Sequence, residues 1–291
     1  MLVDAHVHLQ PHGEKPPVDR ARLEAYVEHA ARAGLDVICI TEHLFRFREA
    51  YELLDGWWEA DPSPAMRAAA HAYWADHVSM SLPEYVRLIE EAKADGQPVR
   101  LGLEMDWIPG RADDLRALLA PYAWDVVLGS VHSVGAFMFD VDDQIGEWDG
   151  RDVAAVWDEY AGLFEELADA HLVDVLAHPD VIKVFGHRPP DVAPFNRRIA
   201  NAAIRSGAAL EINTNGLRKP AAELYPHPDI LRAVSAAGVP VTLASDAHIP
   251  ERLGGLFDAA IAYARAAGYT DYAVFDRRTR SLVPLPTKSN A

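Results

Sequence analysis

At 291 residues, half of them hydrophobic, the chain is long enough for one large α/β barrel or two smaller domains. Its formal net charge of −17, from 44 acidic against 27 basic residues, comes without the basic stripe that nucleic-acid binding requires. No stretch approaches the ~20 apolar residues of a membrane span, and no basic region followed by an apolar run marks a signal peptide.

The chain begins with a short strand, Leu2–His6, that runs into Asp4-Ala5-His6-Val7-His8. His6 and His8 are two apart, so both imidazoles project from one face of a strand. An amphipathic helix follows over Asp19–Ala33, with Asp19 as N-cap and Gly34 as its stop. The next strand, Val37–Thr41, carries the lone cysteine, Cys39, read as a buried core thiol, and leads into Glu42-His43. Residues 45–80 interrupt the alternation. Rich in Trp and Tyr, with Pro62 and Pro64, they read either as a lid over a barrel mouth or as the aromatic core of an accessory helix pair. Then come a helix over Leu82–Ala94 with Ser81 as N-cap, a strand over Val99–Glu104 and a helix over Arg111–Leu119. The strand Val126–Val131 precedes His132. Beyond it lie a helix over Asp152–Ala170, the strand Val173–Ala177 before His178, and a helix over Ala193–Ser206 ending at Gly207. The strand Ala209–Asn213, a helix over Pro228–Ala236 ending at Gly238, and the strand Val241–Ser245 before Asp246 and His248 complete the alternation. The stretch Ala273–Leu285 reads as a final hairpin with Arg277-Arg278 near its turn.

Strand–helix alternation of this kind predicts a parallel sheet, and seven strands too apolar to face water on either side predict a closed (β/α) barrel. The polar residues fall where such a barrel puts its active site. His6, His8, Glu42, His43, Glu104, His132, His178, Asn213, Asn215, Asp246 and His248 all sit at or just past strand carboxyl ends, which converge on one mouth. Of the 13 histidines, His29, His71, His77, His171, His187 and His227 lie on helices or loops and read as surface or capping residues.

Singly, a strand-end histidine is a satisfied rim residue more often than a ligand. A cluster of imidazoles beside buried carboxylates is costly unless something compensates it, and a cation does so. The donors are nitrogen and oxygen without thiolate, which suits Zn, Mn or Fe, and their number points to two or three divalent ions. Ions bridged by one carboxylate suit displacement at phosphorus, and bound water loses its proton near neutral pH. The expected nucleophile is thus a metal-bound hydroxide.

The ordered set His6-Val7-His8, Thr41-Glu42-His43, Gly102-Leu103-Glu104, Gly129-Ser130-Val131-His132, Ala177-His178-Pro179 and Ser245-Asp246-Ala247-His248 resembles the PHP (polymerase and histidinol phosphatase) superfamily. The stretches from Ala177 to Lys183, from Glu211 to Lys219 and from Val241 to His248 resemble its histidinol-phosphate phosphatase branch. The resemblance implies a distorted seven-stranded (β/α)7 TIM-like barrel, and a single PHP metallophosphoesterase domain over 1–291. It implies one ion held by His6, His8, Glu104 and Asp246, a second by Glu104, His132 and His178, and a third by His12, His43 and His248. The loop before His12 is shorter than the family's, which leaves His12 as a third-site ligand or a loop histidine.

For the phosphate, Arg218, Lys183 and Lys219 are candidates. Arg218 suits phosphate oxygens with its planar fork, while Lys219 reads equally as a rim charge. Asn213 and Asn215 could hold the substrate's ammonium or orient Arg218, and Asp180 is a general-acid candidate by position alone. The expectation is a cytoplasmic, metal-dependent phosphomonoesterase. It would hydrolyse L-histidinol phosphate or another small phosphorylated metabolite, without nucleic-acid or membrane partners. Acidic charge and the lack of a basic groove argue against a nuclease or polymerase module. An amidohydrolase would commonly place a carboxylated lysine where His132 stands, and the full ligand complement argues against a purely regulatory domain.

Overall fold

In the computed structural model, residues 1–286 are described. Seven parallel strands pair in sequence order: β1 (Val3–Val7), β2 (Val37–Ile40), β3 (Val99–Asp106), β4 (Val126–Ser130), β5 (Val175–Leu176), β6 (Ala209–Asn213) and β7 (Val241–Ala244). Every predicted strand is present, with ends shifted by two residues at most. Helices α1 (Arg20–Arg32), α4 (Leu82–Ala94), α5 (Ala112–Leu119), α6 (Val153–Asp169), α7 (Ala193–Ser206), α8 (Pro228–Ala236) and α9 (Phe257–Ala266) accompany the strands, each burying an apolar face. No helix among the described residues is long and apolar enough to cross a membrane.

Closure of the sheet falls at the mouth. Val7 bridges Ala247 in parallel, the His8 amide donates to the Ala247 carbonyl at 2.8 Å, and the Asp246 amide donates to His6 at 3.0 Å. One turn below, the buried Asp4 carboxylate of β1 accepts from the Ser245 amide at 2.9 Å, the Ser245 hydroxyl at 2.5 Å and the Gly254 amide at 2.9 Å. The first and last strands therefore meet through the segments that carry His6, His8, Asp246 and His248.

The opposite end is closed by the predicted hairpin, β8 (Asp271–Asp276) and β9 (Thr279–Pro284), which turns at Arg277 and Arg278. Asp125, buried just before β4, fastens it by accepting from Arg277 and from the β3 amide of Leu101, at 3.1 and 2.8 Å.

Residues 45–80 contain two helices, α2 (Arg48–Leu54) and α3 (Pro64–His77). Trp58, Met66, Ala70 and Trp74 join the hydrophobic core, while Phe45, Trp57, Tyr73 and His77 line the mouth. Asp19 caps α1 as expected, accepting from Arg22 at 2.9 Å. Ser81 does not cap α4 with its own side chain. Glu49 of α2 takes the Leu82 amide at 2.8 Å, and the Ser81 hydroxyl donates to the same carboxylate. A longer, charged acceptor from the insertion has taken the cap and ties α2 to α4.

Close packing makes glycine mandatory on β3. A Cβ at Gly102 would lie 2.6 Å from Thr41 Cγ2 and 3.0 Å from Val126 Cγ1. Gly102→Val is expected to destabilise the protein by about 2 kcal/mol or more, through overpacking between β2 and β4. Thermal unfolding checks this, and an unchanged midpoint would refute the packing argument.

Candidate metal centre and substrate cavity

Glu104, near the end of β3, is fully buried, and its two oxygens face different histidines. Oε2 lies 2.6 Å from His43 Nδ1, 3.2 Å from His6 Nε2 and 3.4 Å from His8 Nε2. Oε1 lies 2.8 Å from His178 Nε2 and 3.3 Å from His132 Nε2. Asp246 Oδ1 completes the first group, 3.5 Å from His8 Nε2 and 4.0 Å from His6 Nε2. Ligands roughly 2.1 Å from one tetrahedral ion stand about 3.4 Å apart, so these separations are those of donor atoms around a cation. The histidine pair itself is 2.9 Å apart, nitrogen to nitrogen.

A third group forms beside these. His43 Nε2 and His248 Nε2 face each other at 3.3 Å. The His12 ring stacks on His248 with centroids 4.1 Å apart and lies 5.7 Å from His43. Its short loop is clamped from below. Glu42 accepts from the amides of Leu9 and Gln10 at 2.5 and 3.1 Å, and Arg46 donates to Gln10 Oε1 at 2.5 Å and to the Pro11 carbonyl at 3.1 Å. Both clamping side chains are fully buried, which explains how a short loop still brings His12 to the cluster.

Two unanticipated carboxylates orient the imidazoles. Glu211 of β6 lies 2.7 Å from His6 Nδ1, so that nitrogen carries a proton and Nε2 is the one turned to the cluster, where a cation would take its lone pair. The other Glu211 oxygen accepts from the His178 amide at 2.6 Å. Asp106 stands in the same relation to His132, 2.6 Å from Nδ1. The signal was in the sequence: a carboxylate inside an apolar strand, two residues from a candidate, faces the same way as that candidate.

Electrostatics sorts the imidazoles into two kinds. Burial works to lower His6 and His132, but Glu211, Glu104 and Asp246 outweigh it at His6, and Glu104 and Asp140 at His132, and hold both well above the usual imidazole range. Burial pushes His8 down to about 3 and His43 down to about 4, with neighbouring histidines adding to the effect on His8, so both are neutral donors. For Glu104, burial works to raise the carboxyl, but His43, His6 and His132 outweigh it and hold it well below the usual range. Several buried ring nitrogens lack any hydrogen-bond partner, among them His8 Nδ1 and His178 Nδ1. A buried carboxylate crowded by imidazole nitrogens on both oxygens fits a cation among them.

Asp246 sits at φ 52°, in the left-handed region that Asp tolerates better than most residues. Asn213 and Asn215 both donate to its Oδ2 at 3.3 Å, leaving Oδ1 for the histidines. Asn213 is thus a holder of Asp246 and Glu211, fully buried, while Asn215 also reaches the cavity.

Above the cluster opens a cavity of about 410 Å³, within the usual range for a small-molecule site. His12, His43, His132, His178, Asp246 and His248 form its floor, Phe45, Trp57, Tyr73, Trp74 and His77 one wall, and Met138, Asp140 and Lys219 line it as well. His77, read from sequence as a helix-surface residue, stacks on Tyr73 at this wall. Of the expected phosphate cations only Lys219 is there. Lys183 is buried in an ion pair with Asp180 at 2.7 Å, next to Glu223 at 3.2 Å, and donates to the Leu224 carbonyl, so its charge is spent inside the protein. The same pair, with the His227 amide, occupies Asp180 and removes it as a general acid. Arg218 is exposed and lies against Gly255 outside the cavity, because the short helical turn from Asn215 to Arg218 carries it past the mouth.

Glu211→Gln keeps the shape but weakens the acceptor that fixes His6. Metal retained against a chelator is expected to fall by about 10–100-fold in affinity. Retention equal to wild type would show that Glu211 does not set the His6 lone pair.

A family profile described as "PHP domain" matches residues 18–215. A "Probable histidinol-phosphatase" of Deinococcus radiodurans is 34% identical over 270 residues, covering 92% of this chain and 94% of that protein. The "Histidinol-phosphatase" of Bacillus subtilis is 26% identical, covering 88% and 97%. Among solved structures, a histidinol phosphate phosphatase from Lactococcus lactis subsp. lactis, complexed with zinc, L-histidinol and phosphate, superposes with a TM-score of 0.70 at 21% identity. It covers 96% of this chain and 98% of that one, and at that identity it speaks for the fold. With the profile over most of its length and the Deinococcus relative along nearly all of it, the chain belongs to the PHP domain family.

Proposed function

We propose that this chain hydrolyses L-histidinol phosphate to L-histidinol and phosphate at a centre of two or three divalent ions, zinc, manganese or iron. The observation that carries the reading is the split Glu104 carboxylate: one oxygen faces His6 and His8, the other His132 and His178, at the floor of a small-molecule cavity. The names of the Deinococcus and Bacillus relatives supply the substrate.

In this reading His6, His8, Glu104 and Asp246 hold one ion and Glu104, His132 and His178 a second, with His12, His43 and His248 available to a third. When bound, such ions neutralise phosphate charge and lower the pKa of the attacking water. The chain's own side chains do the rest. Glu211 and Asp106 keep their histidines in the tautomer that offers Nε2, and the two asparagines aim Asp246. Lys219 contributes positive charge where phosphate oxygens would lie. The aromatic wall excludes water on one side of the ester.

The deciding experiment is phosphate release from L-histidinol phosphate by the purified protein, with metal content measured on the same sample. A fully metallated protein inactive on it, yet active on sugar or nucleotide monoesters, would overturn the substrate and keep the chemistry. Glu104→Gln is expected to lose activity on the order of a thousandfold along with bound metal, because one substitution disrupts two ion sites. Lys219→Ala is expected to cost only about tenfold, with metal retained. Comparable losses for the two would refute the bridging role.

A further inference from the structure

The cavity holds an acid that nothing so far uses. Asp140 lies on the connection between β4 and α6, at the end of the buried run Phe137-Met138-Phe139. That run is fixed on all sides. The Val134 and Phe137 backbones bond reciprocally at 2.9 and 3.1 Å, Met138 donates to Gln144 Oε1 at 3.1 Å, and Trp148 donates to the Phe139 carbonyl at 3.3 Å. Asp61 of the insertion accepts from the Ala136 amide at 2.8 Å. Asp140 is therefore delivered by a rigid loop to the cavity wall, where its carboxylate forms no ion pair with any described residue. It lines the cavity together with His132, His178 and Lys219, beside the metal-site histidines.

A second orphan lies in the same wall. Tyr225 is 2% exposed, lines the cavity, and its hydroxyl has no hydrogen-bond partner. Asp140 and Asp246 line the same cavity as that phenol. Asp142 and Asp143 continue the negative charge to the exposed rim. Negative charge beside a phosphate site repels the substrate's anionic end, and a cation elsewhere on the substrate would offset that cost.

We propose that Asp140, with the Tyr225 hydroxyl as a neutral acceptor, binds the α-ammonium of the substrate and so selects amino-alcohol phosphates over plain phosphomonoesters. The proposal rests on the histidinol-phosphate reading above. In that substrate the ammonium sits on the carbon next to the ester-bearing carbon, so its acceptor must lie immediately past the groups that hold phosphate. Asp140 is in that position. An ammonium has three donors and no acceptor, which matches a carboxylate and a hydroxyl oxygen left unpaired. The aromatic wall of Phe45, Tyr73 and Trp74 remains for the imidazole.

The test compares L-histidinol phosphate with its deaminated analogue, 3-(imidazolyl)propyl phosphate, in wild type and Asp140→Asn. For the variant, kcat/KM on L-histidinol phosphate is expected to fall about 10–100-fold, chiefly through KM, with the analogue changed by less than about threefold. Metal content and melting midpoint should match wild type, and calorimetric affinity for L-histidinol should fall by a similar factor. That last readout keeps the proposal testable if turnover is lost. Equal losses on both substrates, or no loss on either, would overturn the ammonium site while leaving the phosphatase reading intact. A wild-type protein inactive on L-histidinol phosphate would overturn both.

Discussion

A fully buried carboxylate, Glu104, sits among the imidazoles of His6, His8, His43, His132 and His178, and the rest of the site follows from how that charge is accommodated. Imidazolium meets part of that charge, since the carboxylates around His6 and His132 hold both rings raised against burial, but it does not extend to every ring. His8 and His43 are accordingly held neutral by burial. Neutral nitrogens packed around carboxylate oxygens with few hydrogen bonds are stable only if positive charge of another kind enters. The packing thus offers donor groups that could hold a cation, and Glu211 and Asp106 orient two of the rings toward it.

The same residues close the barrel. The hydrogen bonds joining β1 to β7 come from His6, His8, Asp246 and Ala247, and the Asp4–Ser245 bonds lie directly beneath them. Cation binding would therefore draw together the two ends of the sheet, so that occupancy and closure reinforce each other thermodynamically. This explains the placement of ligand pairs at both chain termini: only the seam brings residues 6 and 246 into contact.

The barrel was legible in the sequence because its strands are apolar throughout and its helices carry clear stops; Ala209–Asn213 and Leu82–Ala94 match residue for residue. Metal-site candidates were legible because they cluster at strand ends. The phosphate cations were not. Lys183 and Arg218 follow strand ends as the true cavity residues do, but the direction of a side chain after a strand depends on the turn that follows. In one case Asp180 captures the amine, and in the other a short helical turn carries the guanidinium outward. Asp140 was hidden for the opposite reason. It follows β4 at a distance, and only the packing of Phe137 and Phe139 brings it back to the mouth.

The cavity thus has two sources. Its floor comes from strand ends, where the sheet dictates position to a fraction of a residue. Its walls come from the excursion at residues 45–80 and from the loop after β4, which Asp61 ties to each other through the Ala136 amide, and from the segment after β6 that carries Lys219 and Tyr225. A substitution on the walls alters what fits beside the phosphate without moving any group that holds it. A substitution on the floor disturbs closure, charge balance and ion binding together. Selection among phosphate esters can therefore change in this fold while the reaction stays the same, since the residues that would choose the substrate are not those that hold the barrel shut.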